Sequence, residues 1–98
     1  MVIVIGAAIA KPDGLGALLD IAVAHCRRSR GEAGCISHNV HVDAENPLRL
    51  VFVEYWSDSA ALKAHFGLPE SISFAKDLRD LSEAQPEMRV YDANKVRI

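Results

Sequence analysis

The spacing of apolar and polar positions changes several times along the chain, and each change predicts an element. Residues 2–10 (VIVIGAAIA) carry no polar side chain. Such a run fits a strand buried on both faces. KPDG closes it, and Asp13 is placed to cap a following helix by accepting free backbone N–H groups of its first turn. In LGALLDIAVAHCRRSR, the residues Leu15, Leu18, Leu19, Ala22 and Cys26 fall on one helical face. Arg27, Arg28 and Arg30 lie at the end where the helix dipole favours cations, and Gly31 and Gly34 mark the exit. CISHNVHV then alternates, with Ile36, His38, Val40 and Val42 on one face and Ser37, Asn39 and His41 on the other. DAENP reads as a turn. In the next strand, LRLVFVEYW, one face carries Leu48, Leu50, Phe52, Glu54 and Trp56, and the other carries Arg49, Val51, Val53 and Tyr55.

SDSAALKAHF predicts a helix capped by Ser57 or Asp58, with Leu62, His65 and Phe66 on one face. GLP breaks it. A second helical run follows, with Ile72, Ala75 and Leu78 inward and Phe74 and Leu81 beside them, and EMRVYDANKVRI predicts a last strand with Met88 and Val90 on one face. The order β-α-β-β-α-β, with the second helix in two pieces, predicts an α+β fold in one domain over residues 1–98. Its expected form is a ferredoxin-like sandwich with the helices on one face of a four-stranded sheet. The first and third strands are apolar on both faces, whereas such a sandwich leaves one sheet face open. A symmetric homodimer packed sheet to sheet resolves that conflict.

Composition narrows the function classes. Half of the 98 residues are hydrophobic, enough for a core without staples, and the net charge is −2. The basic cluster of Arg27, Arg28 and Arg30 is too small for a nucleic-acid footprint and reads as a solvated helix end. Cys26 and Cys35 form no CxxC pair and no zinc spacing, and read as small buried hydrophobes in a reducing compartment. The apolar start lacks a basic leader region and is too short to span a bilayer, so a cytoplasmic protein without a membrane partner is expected.

The candidate chemistry sits in VEYWSDSAALKAHF, residues 53–66. Glu54 and Trp56 share a strand face, and a carboxylate there is costly unless paired or hydrated. His65 lies on the inward face of the helix that follows directly, and His38 on the apolar face of the neighbouring strand. Together they can border one cavity between sheet and helices. Whether His38 or Asn39 faces it depends on a one-residue choice of register. The plainer readings are a core histidine bonded to a backbone carbonyl, a core tryptophan, and a Glu54 paired with Arg49 or Lys63 at an edge. His25 and His41 are expected to face solvent or a partner subunit. Two histidines and a glutamate suit zinc or iron by type, but no two of them have the i, i+3 or i+4 spacing of ligands on one helix, so no metal is expected.

EAGCISHNV followed by NPLRLVFVEYWSDSAALKAHF resembles the antibiotic biosynthesis monooxygenase (ABM) family. The matching positions are Glu32, Gly34, Cys35, Glu54, Trp56, Asp58, Ala61, Leu62 and His65, with Phe74 at a further aromatic position. The likeness runs from the first strand to about Phe74. It implies a dimeric α+β barrel and a cofactor-independent oxygenase using O2 on small aromatic substrates such as quinols or anthrones. The chain departs from the family at His38, where Tyr is common, at Glu70, where a second His often stands, and at Ala33 in place of Pro.

Under this reading His65 or His38 is the base, because imidazole titrates near neutrality, and Glu54 orients a histidine and stabilises its charged form. Trp56, Phe52, Leu62, Phe66 and Phe74 shape a slot for a flat ring, with Asn39 as the alternative to His38 in the pocket. The same groups suit an isomerase moving a proton on a small carbonyl compound, with Lys76 and Arg79 as anchors for a phosphorylated substrate. They also suit a binding dimer without turnover. Haem-degrading relatives are expected to carry Asn in the first strand, and residues 2–10 have none.

Overall fold

A computed structural model describes all 98 residues. The elements are β1 (Val2–Ile9), α1 (Leu15–Ser29), β2 (Cys35–Asp43), β3 (Asn46–Trp56), α2 (Ser59–Gly67), α3 (Pro69–Asp80) and β4 (Glu87–Asp92). The strands form one antiparallel sheet in the order β2-β3-β1-β4. This is the ferredoxin-like α+β arrangement the element order predicts.

The period-2 alternation divides the sheet. Val2, Val4, Ala8, Leu50, Phe52, Glu54 and Trp56 are buried on the helix side. Two core clusters form there. Leu18, Ala22 and Cys26 of α1 pack on Ala10, Leu50 and Phe52, while Trp56 and Leu62 pack with Val2 and Val4. The opposite face carries an apolar stripe in which Ile3 pairs with Tyr55, Ile5 with Val53 and Ala7 with Val51. Ile5, Ile9 and Tyr55 on that face are exposed within the single chain. β1 is therefore buried on one face and only partly covered on the other.

Several local expectations are corrected. Asp13 does not cap α1: its N-cap is Gly14, with no side-chain hydrogen bond. α2 is capped by Asp58, whose Oδ1 accepts from the Ala61 N–H at 2.8 Å. Ile72 is exposed and Ser71 takes the inward place expected for it, while Phe74, Ala75 and Leu78 lie on the inner side of α3 as expected. The β2–β3 turn is tighter than DAENP suggests, because Asp43 already pairs with Asn46, and Asp43 Oδ1 accepts from the Glu45 N–H. The arginines at the end of α1 are not all solvated. Arg30 donates to the His38 carbonyl and to Asn39 Oδ1, fastening the helix exit to β2.

Gly34 closes the loop between α1 and β2 with φ of 81°, the left-handed region where a side chain is strained. A Cβ there would collide with the Cβ of Ala61 and lie 2.8 Å from Ser57 Oγ. Glycine thus lets this loop lie against the start of α2, and Glu32 sits two residues before it.

Candidate active site

Four elements converge on the helix side of the sheet. β3 presents Phe52 and Glu54. β2 has an irregularity between Cys35 and Ser37, after which His38 pairs opposite Glu54, and this register turns His38 inward. α1 contributes His25, α2 contributes His65, and α3 contributes Ser71 and Phe74. These side chains border a cavity of ≈ 240 Å³ whose exposed rim includes Phe66, Arg79, Gln85 and Met88.

The three histidines are all buried, and one ring nitrogen from each lies within 4.8 Å of the other two. Each has a different environment. His65 Nδ1 is 2.7 Å from Glu32 Oε1, and Ser71 Oγ is 3.5 Å from the same nitrogen. A carboxylate only accepts, so Nδ1 carries a ring proton, and in the neutral form of the ring the lone pair is on Nε2. Arg28 Nη2 lies 2.7 Å from His25 Nδ1, and a guanidinium only donates, so Nδ1 is the accepting nitrogen of a neutral His25. The His25 ring is stacked on Phe74 at 3.9 Å with planes 6° apart. His38 has no hydrogen bond at either ring nitrogen, and its Nε2 is 3.6 Å from Glu54 Oε2.

Burial lowers the His25 pKa to about 3, helped by His38, His65 and Arg28. Burial likewise lowers His38 to about 3, with His65 and Arg30 adding to it. Both are neutral near pH 7. Glu54 is pushed upward by desolvation, against the hydrogen bond that Trp56 Nε1 donates to its Oε1 at 3.0 Å. Cys26 is pushed up to about 11 and Cys35 is also raised, mainly by burial, so both stay thiols.

The residues expected at the site divide into two groups. His65, His38, Glu54, Phe52, Phe66 and Phe74 border the cavity. Trp56, Leu62 and Asn39 do not. Trp56 is fully buried behind Glu54, and Leu62 packs on Val2 and Val4. Asn39 is exposed on the other sheet face and accepts from Arg30. Neither Arg49 nor Lys63 pairs with Glu54; Arg49 pairs with Asp43.

His25 is buried rather than solvent-facing. The signal for it was its place three residues after Ala22 and seven after Leu18 on the inward face of α1. Glu32 gained no role from sequence because its partner lies on a distant helix. Histidines from three separate elements also meet here, a convergence that ligand spacing within one helix cannot reveal.

The fold is that of an α+β domain with a buried acid–histidine cavity between sheet and helices. The chain belongs to the antibiotic biosynthesis monooxygenase family, whose model matches residues 1–77. It is 30% identical over 90 residues to the uncharacterized protein sll1783 of Synechocystis, covering 92% of this chain and 61% of that relative's length. A Deinococcus radiodurans protein solved as a candidate antibiotic biosynthesis monooxygenase superposes with a TM-score of 0.94 at 24% identity, covering 100% of this chain and 97% of that one. Rv0793 of Mycobacterium tuberculosis superposes with a TM-score of 0.90 at 25% identity, covering 97% and 96% of the two chains. No helix is long and apolar enough to cross a membrane.

Proposed function

We propose that this domain is a cofactor-independent monooxygenase of small electron-rich aromatic substrates, quinol- or anthrone-like, acting as a homodimer. The observation that carries the reading is the 2.7 Å contact of Glu32 with His65 Nδ1 at a cavity walled by aromatic rings. The flat substrate lies in the cavity bordered by Phe52, Phe66 and Phe74. His65 Nε2 takes its acidic proton, and Glu32 stabilises the imidazolium that results. The substrate anion gives its electrons to O2. One oxygen atom enters the ring system, the other leaves as water, and the substrate is oxidised to the quinone level, so no external reductant is needed. His38, neutral and without a hydrogen-bond partner, donates a ring N–H to the developing oxyanion.

The uncovered apolar stripe on the far sheet face supports the dimer. A second reading, a proton-moving isomerase with an anionic substrate, is favoured by Arg79 at the cavity rim; Lys76 is instead paired with Asp80 at 2.9 Å. Turnover under 18O2 separates the two. The oxygenase places one labelled atom in each product molecule. The isomerase converts its substrate without oxygen and incorporates none.

A further inference from the structure

Beside the proton-transfer pair, the least explained feature of the cavity is the gathering of His25 and His38 around His65. Burying three imidazoles together stabilises nothing by itself. His38 is only 1% exposed, yet neither of its ring nitrogens has a hydrogen-bond partner. An orphaned polar group of that kind calls for a ligand.

We infer that the three histidines form a binding site for one divalent first-row transition ion of the zinc class, with a fourth position open to the cavity. Three facts of geometry support it. The ring nitrogens, one from each residue, already lie within 4.8 Å of one another. Nitrogens each about 2.1 Å from one tetrahedral ion are roughly 3.4 Å apart, so the rings must close by about 1.4 Å. His38, held by no hydrogen bond through its ring, is free to make much of that movement. Second, Glu32 holds His65 by Nδ1 and leaves Nε2 to ligate, the carboxylate–histidine arrangement that orients metal-bound imidazoles. Third, three neutral nitrogen donors without a thiolate select imidazole-seeking ions such as zinc, copper or nickel over magnesium or calcium.

Arg28 donates to His25 Nδ1, so ligation through Nε2 requires the ring proton to move to Nδ1 and Arg28 to swing away. Arg28 is exposed and has a second contact, the Glu70 carbonyl at 3.4 Å, on the rim of the groove between α1 and α3. The ion would take the lone pair that His65 needs as a base. Metal loading and proton abstraction therefore exclude each other, and a bound ion holds the oxygenase off. That consequence rests on the proposed function; the metal site itself does not.

The test is titration of the chelator-treated whole chain with Co2+, read by visible absorption without any substrate. The expected result is one equivalent bound with the intense bands of a four-coordinate ion, displaced by Zn2+. Affinity should fall roughly 100-fold or more in His38→Phe and in His25→Gln, and stay unchanged in His41→Ala, whose histidine is exposed on the other sheet face. Proton NMR of the Co2+-loaded parent should show three shifted, exchangeable imidazole N–H signals, a readout that needs no variant to fold. Absence of stoichiometric binding, fewer than three such signals, undiminished affinity in folded His38→Phe, or loss of binding in His41→Ala would overturn the assignment. None of these readouts depends on oxygen chemistry, so failure of the site and failure of the oxygenase reading are told apart.

Discussion

Glu32 and His65 are 33 residues apart in the chain and 2.7 Å apart in space. The contact is made by a loop and a helix that meet because Gly34 has no side chain. It gives His65 a fixed tautomer with its free nitrogen available to the cavity, and it joins two residues that fall in separate sequence motifs.

Replacing Glu32 by Gln keeps the size and a hydrogen-bond acceptor but removes the charge that stabilises an imidazolium. Glu32→Gln should lower kcat roughly 10²-fold and leave KM near the parent value, because Glu32 acts through His65 rather than on the substrate. Steady-state kinetics checks this. A loss confined to KM would place Glu32 in binding instead.

Gly34→Ala should destabilise the fold by about 1–3 kcal/mol through backbone strain, and by more if Ala61 cannot give way. Urea unfolding measures it. Because the same turn carries Glu32 towards His65, the variant should also lose activity while still folded. Unchanged stability would show that the loop has another way to pass α2.

Stability should fall on acidification. His25 and His38 have folded pKa values of about 3 against an ordinary 6.5, so between those limits the unfolded chain binds more protons and stability drops as pH falls. Glu54, raised by burial, works in the opposite direction. The groups facing the two rings are His65, Glu54, Arg28 and Arg30, and of these only the Glu54 carboxylate favours their charged forms. With two histidines against one such carboxyl, Tm should decline through this range. A Tm that does not change there would contradict buried neutral imidazoles.

The sheet face should hold a second copy of the chain. Val53 pairs with Ile5 in the middle of the apolar stripe, so Val53→Lys should shift the protein from dimer to monomer in sedimentation equilibrium. A monomeric parent would remove this part of the account.

Most of the fold could be read from the sequence because its periods are clean. β3 alternates without interruption from Leu48 to Trp56, and α2 announces its start with Asp58. The cavity was legible only in part. Glu54, His65 and Phe52 follow from strand and helix faces, whereas the choice of His38 over Asn39 required the irregularity after Cys35, which no local pattern signals. Apolar spacing also hides polar residues on a buried face. His25 sits between Ala22 and Cys26 on the inward side of α1, and Ser71 stands inward where Ile72 was expected. Trp56 belongs to the core, and its links to the chemistry are the hydrogen bond it donates to Glu54 and its ring, 4.8 Å from that of His65.

Oxygen uptake by metal-stripped protein tests the central claim most directly, with a panel of reduced quinols and anthrones and with wild type beside His65→Ala. The account predicts uptake well above the spontaneous rate in the parent and its loss in a variant that still folds. No uptake above background with any substrate, or equal uptake by folded His65→Ala, would contradict it.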